Sequence, residues 1–178
     1  LTIIPSSTLC FPHQNKFQRS DKSNSYHNFI ESKYGLSIAT SSVHINLGIE
    51  ELDKLFAAIR LIRCEASVFL ALSASSPFLN GKFTGNHSQR WLQFPKTPFD
   101  IPFFLDHNHF VSWIEKNIND GSMQNVRHLW SSVRPNGPQR PYIVDRLELR
   151  ICDFISNIDL LLAITAFLEL RVISLFDH

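Results

Sequence analysis

Cysteine is scarce in this chain, with only Cys10, Cys64 and Cys152 among its 178 residues. Odd in number, widely spaced and never in a Cys-x-x-Cys pair, they argue against a zinc knuckle and against a disulfide framework. An excess of one charge is also missing. Seventeen basic residues face sixteen acidic ones, and the net charge of +1 supplies no field that would draw nucleic acid or an anionic membrane. Long hydrophobic runs are absent too. The most apolar stretch, Leu160 to Leu168, is far short of the ~20 residues a membrane-spanning helix needs, so it reads as a core helix and no membrane partner is expected. There is no internal repeat, and with 44% apolar and 19% charged residues a single globular domain in a reducing cytoplasm is the natural expectation. The chain opens on Leu-Thr-Ile-Ile and closes on Leu-Phe-Asp-His, so both ends read as cuts through a longer protein.

Residues 1–25 mix Pro, Ser, Asn, Gln, Lys and Arg without period and read as loop or tail, leaving 26–178 as the folded part. A short helix is expected from Tyr26 to about Tyr34, ended by Gly35. The run Val43 to Ile49 alternates strictly, with Val43, Ile45, Leu47 and Ile49 on one face and His44, Asn46 and Gly48 on the other. Glu50, Glu51 and Asp53 favour a helix start, and Leu52, Leu55, Phe56, Ile59 and Ile62 continue it at helical spacing. A second helical stretch follows at about 65–74, before Pro77. Residues 76–110 show no sustained period and suggest long loops packed by aromatic side chains. A helix at about 108–119, a strand over 142–151 and a helix over 155–176 complete the pattern. The later strand sets Ile143, Leu147, Leu149 and Ile151 against Arg146, Glu148, Arg150 and Cys152. The fold class expected is α+β, antiparallel strands facing the helices of 50–75 and 155–176.

The polar faces of the two strands attract attention. A solvated sheet face is the simple reading, because antiparallel sheets commonly keep one face wet. Against it, His, Asn, Glu and Arg are the groups that coordinate a metal and hold phosphate, whereas a solvated face usually carries Lys, Thr, Ser and Glu. Both readings stand on the residues alone.

Four segments in order then carry a resemblance. They are Ser42 to Ile49 (SVHINLGI), Leu70 to Phe78 (LALSASSPF) with Gly81, Thr84, Gly85, Ser88 and Arg90, Trp130 to Pro135 (WSSVRP), and Leu147 to Asp153 (LELRICD). Together they resemble the glutamate-cysteine ligase type 2 and carboxylate-amine ligase family, over roughly residues 24–170. The resemblance implies a catalytic domain similar to that of glutamine synthetase, an antiparallel sheet curved into a funnel with its polar strand faces inward. It also implies an ATP-dependent ligase that joins glutamate to cysteine through a γ-glutamyl phosphate, the first step of glutathione synthesis. Magnesium or manganese would serve as cofactor, with glutamate, cysteine and ATP as small-molecule partners.

Carried onto this chain, the family pattern implies His44 and Glu148 as metal ligands. Arg150 and Arg90 would be catalytic, and Asn46, Arg90, Arg134 and Arg150 would contact ATP or substrate. The N-terminal strands that carry further metal-binding glutamates in the family are not matched, so no turnover is expected from this chain alone. Close relatives that use a different amine, and a non-catalytic binding domain, are the alternatives.

Other features take simpler readings. Asp106-His107-Asn108-His109 suggests a metal cluster or an HNH nuclease, but its place at a helix start favours a surface loop and an N-cap. His27 and His128 read as structural histidines, and the Phe-rich stretch 94–110 as core. Cys64 reads as a small buried hydrophobe, and Cys152 as structural.

Overall fold

Alternation builds the centre of the structure. In the computed structural model, which describes residues 6–9, 21–35 and 40–177, three short antiparallel strands form a sheet with the last of them in sequence at its centre. They are β1 (Ile45–Gly48), β4 (Val133–Asn136) and β5 (Arg146–Leu149). Ile45, Leu149 and Val133 lie in one cross-strand row, and Leu47, Leu147 and Pro135 in another on the same face. The alternate row places Asn46, Glu148 and Arg134 on the opposite face. Proline in β4 is tolerated because, among the described residues, that strand has a neighbour on one side only, and the missing N–H takes no bond from a further strand.

The apolar face is covered by α2 (Leu52–Cys64), which buries Leu55, Phe56, Ala58, Ile59 and Ile62 and packs on β4 and β5. Packed chiefly on α2, α6 (Ile158–Phe176) buries the stripe Ile164, Leu168 and Val172. Its last turns also border β1, where Val172, Ile173 and Phe176 line a shared cavity with Leu47 and Gly48. Ile158, Leu162 and Leu170 stay exposed on its outer side. Between these helices, α3 (Ala66–Ser73) extends α2 and sets Phe69 against Phe167. Among the described residues no helix is long and apolar enough to cross a membrane.

The remaining elements frame the polar face. α1 (Ser25–Tyr34) starts at Asn24, whose side chain accepts from the His27 amide, and ends at Gly35 with φ of 72°. The stretch expected to be loop contains a hairpin, β2 (Phe78–Leu79) and β3 (Lys82–Phe83), turned by Asn80 and Gly81, both at positive φ. Two residues of that type are what a tight hairpin of the I′ kind requires. A single-turn helix, α4 (Gln89–Gln93), follows with Ser88 as its N-cap. α5 (His107–Asn119) begins at Asp106, which accepts from the His109 amide, so the Asp-His-Asn-His run is the helix cap.

Several boundaries differ from expectation. Regular pairing of the later strand covers only Arg146–Leu149, and Ile143 is 52% exposed in a loop that folds back through a Gln139–Ile143 bridge. Cys64 is exposed, because the buried stripe of α2 lies on its other side. Phe104 is core, whereas Phe99 and Phe103 are exposed. In the stretch expected to be tail, Ser7 and Thr8 are buried, and Ser7 binds the Phe154 and Ser41 amides. Residues 1–5 and 10–20, Cys10 included, lie outside the described residues.

Candidate functional site

Glu148 stands at the centre of the polar face and is 5% exposed. One of its oxygens, Oε2, accepts from Arg134 Nε at 2.6 Å, and Arg150 Nε and Arg140 Nη1 lie 3.8 and 4.0 Å from it. The other, Oε1, lies 3.2 Å from His44 Nδ1. β-pairing explains the arrangement. Arg134 is the cross-strand partner of Glu148 on one side and Asn46 on the other, while Arg150 follows two residues along the same face.

The electrostatics follow from that packing. Burial acts to raise the Glu148 pKa, but the His44 hydrogen bond and the charges of Arg134 and Arg150 outweigh it and bring the pKa down to about 2. Three guanidinium charges around one carboxylate leave a positive excess. Burial first, and then the neighbouring Arg134, depress Arg150 to about 9. The same two causes depress Arg140 to about 10. Among the described residues, the Nε atoms of Arg140 and Arg150 are buried with no hydrogen-bond partner. A buried cluster of this sign, with donors to spare, is suited to an anion with several oxygens, for which the planar guanidinium fork is the best protein donor.

Arg140 was not among the residues singled out in the sequence. It lies in the aperiodic loop between β4 and β5, and Nη1 donates to Asn136 Oδ1 at 3.1 Å. Gly137 makes that loop possible, since a Cβ there would sit 2.3 Å from the Ile143 carbonyl oxygen and 2.5 Å from Val144 Cα. Nothing in the local sequence marks Arg140 except its place between two recognisable segments.

Of the expected site residues, the structure gathers His44, Asn46, Arg134, Glu148 and Arg150 on one face and places Arg90 apart. Arg90 is 1% exposed. Its two terminal nitrogens donate to the Ile151 and Arg150 carbonyls, both at 3.0 Å, and Nη1 lies 3.8 Å from Asp153 Oδ1. Its fork therefore grips main chain behind the site. His128 is buried among Tyr26, Phe29, Tyr34 and Trp130, and burial lowers its pKa.

For a hard divalent cation, the donor set on this face is one carboxylate and one imidazole, 3.2 Å apart at the accessible rim where the His44 side chain is 34% exposed. That chemistry fits two positions of a magnesium or manganese shell. Among the described residues no cluster of three or more His, Cys, Asp or Glu is formed.

The family model for glutamate-cysteine ligase family 2 matches residues 7–177. "Putative glutamate--cysteine ligase 2" of Sorangium cellulosum is 31% identical over 131 residues, 71% of this chain and 33% of that protein. "Putative glutamate--cysteine ligase 2-1" of Frankia alni is 33% identical over 140 residues, 76% of this chain and 35% of that protein. The chain spans about a third of the length of these curated relatives.

Proposed function

The chain belongs to glutamate-cysteine ligase family 2, and from that premise we propose that it forms part of the catalytic domain of an ATP-dependent ligase that joins glutamate to cysteine. The observation that carries the reading is the convergence of Arg134, Arg140 and Arg150 on the buried carboxylate of Glu148. Such a cluster offers fixed donors to phosphate oxygens in a dry setting, where preorganised charge is most effective.

In this reading the γ-carboxylate of glutamate attacks the γ-phosphorus of ATP and ADP leaves. The amine of cysteine then attacks the acyl phosphate, loses a proton and expels inorganic phosphate as the amide bond forms. Arg150 and Arg140 hold the transferring phosphoryl group through their forks, which limits its motion and offsets its charge. Arg134 holds the Glu148 carboxylate in place through the 2.6 Å contact. Asn46, exposed beside Glu148, faces nucleotide or glutamate. His44 and Glu148 are the residues that would hold magnesium or manganese, which when bound neutralises phosphate oxygens.

The test is ADP release by the protein at its relatives' full length, with glutamate, cysteine and a magnesium salt. Equal amounts of ADP and γ-glutamylcysteine support the proposal. Release that depends on an amine other than cysteine moves the reading to another carboxylate-amine ligase. No release with any amine overturns it.

A further inference from the structure

Arg150 is the first residue beyond the β5 ladder, so its main chain needs other partners to hold its aim. Its amide donates to the Ser132 carbonyl at 2.8 Å. Its own carbonyl and that of Ile151 are taken by the two terminal nitrogens of Arg90, from α4. The same short helix ends at Phe94, whose ring lies 5.7 Å from the Arg90 guanidinium carbon and 5.5 Å from that of Arg150. One turn of helix thus grips the Arg150 backbone with one side chain and flanks the Arg150 guanidinium with another.

This turn is itself anchored to the chain just past Arg150. Asp153, fully buried, accepts from Ser76 Oγ at 2.6 Å and the Ser75 amide at 3.0 Å through Oδ2, and from Ser88 Oγ at 2.9 Å through Oδ1. Ser88 is the N-cap of α4, and Ser76 Oγ accepts from the Arg90 amide at 3.1 Å. The Ser-Ala-Ser-Ser-Pro-Phe run and the Arg-Ile-Cys-Asp run, far apart in sequence, close a ring around one residue.

We infer that Arg90 and Phe94, anchored through Asp153, are positioning residues that set the direction of the Arg150 side chain. They do not touch the reacting groups. The inference rests on the ligase reading for its kinetic consequence, but the geometry it asserts does not. A lysine at 90 keeps the charge and presents a single ammonium where two successive carbonyls need a fork, so the Arg150 main chain loses its fixed clamp.

The experiment is a double-mutant cycle in the full-length protein with Arg90→Lys, Arg150→Lys and the pair, read by kcat, by KM for the amine and by the Arg150 Nε–Hε NMR resonance. That resonance is assigned by its loss in Arg150→Lys. Arg90→Lys is expected to lower kcat by about tenfold to a hundredfold with KM within about twofold, since misdirected groups lose rate steeply. The double variant should be no slower than Arg150→Lys alone. The resonance should shift in Arg90→Lys, and likewise in Phe94→Leu, which carries the same cycle if Arg90→Lys does not fold. Losses that multiply in the double variant, or an Arg150 resonance unmoved by either change, overturn the inference. A wild-type protein with no ADP release defeats the ligase reading alone, and the resonance still decides the positioning.

Discussion

Arg134 and Arg150 donate to the same main-chain oxygen, that of Leu129, at 2.7 and 3.2 Å. Two cations, one on β4 and one just past β5, are thereby drawn to one point just ahead of β4, with Glu148 as the charge between them. The Leu129 carbonyl keeps a partner when either arginine is replaced. Their substitution can therefore be read as a change in charge and aim, without an orphaned backbone group behind it.

Arg150→Lys in the full-length protein should lower the proposed ligase turnover on the order of a hundredfold while thermal unfolding moves little, because the charge stays and the fork is lost. Activity and a thermal melt on the same preparation check it. A variant that unfolds readily, with normal turnover in the folded fraction, would make Arg150 a structural ion-pair partner.

Arg150→Met should change stability by less than about 1 kcal/mol, since relief of the burial cost and of the Arg134 repulsion that hold this guanidinium down to about 9 offsets the lost attraction to Glu148. Denaturant melts without added anion are the measurement. A clear loss of stability would mean that the positive excess is already balanced in the free protein.

Inorganic triphosphate should raise the melting temperature of the wild type, with the gain shrinking as salt rises. At a hundredfold excess over the dissociation constant, linkage gives about 2.7 kcal/mol. Arg140→Leu should remove most of the protection. An equal gain in wild type and variant would place anion binding elsewhere.

Acid should weaken the fold through Glu148. Its folded pKa of about 2 lies below the ordinary 4.5, so its contribution is fully present above pH 4.5 and is lost as pH falls through 2. The size is on the order of 3 kcal/mol. Unfolding free energies measured across that window should fall less steeply in Glu148→Gln, and an unchanged slope would show that other carboxylates govern acid unfolding.

Gly137→Ala should cost about 1–3 kcal/mol by forcing the loop off Ile143 and Val144, and should weaken triphosphate protection by displacing Arg140. Gly48→Ala, where an added Cβ meets nothing within 4 Å, is the stability control. Equal melts for the two variants would mean that the loop adapts freely.

Much of the site was legible because period-two alternation sorts residues onto faces before any contact is known. That pattern alone put His44 and Asn46 on one side of their strand, and Glu148 and Arg150 on one side of theirs. Arg140 was not legible, since it belongs to a loop with no period and earns its place through Gly137 and the return of the chain at Ile143. Pro135 hid β4, because proline argues against a strand unless the strand is known to be an edge. The hairpin at 78–83 did carry a local signal, Asn80-Gly81, obscured by the irregular composition around it. Arg90 sits in a motif expected near phosphate, but whether a fork meets phosphate or carbonyl depends on tertiary placement that a motif does not encode.

Since β5 presents Leu147 and Leu149 to the core and Glu148 to the opposite face, deletion of a single residue ahead of Glu148 would exchange the two sides. Leucines would then point into the arginine cluster and a carboxylate into α2. Length changes between Asn136 and Arg146 must therefore be absorbed wholly by the loop, whereas point substitutions on the polar face leave the hydrophobic packing intact. Genetic drift along this strand would proceed by replacement and never by a one-residue gap.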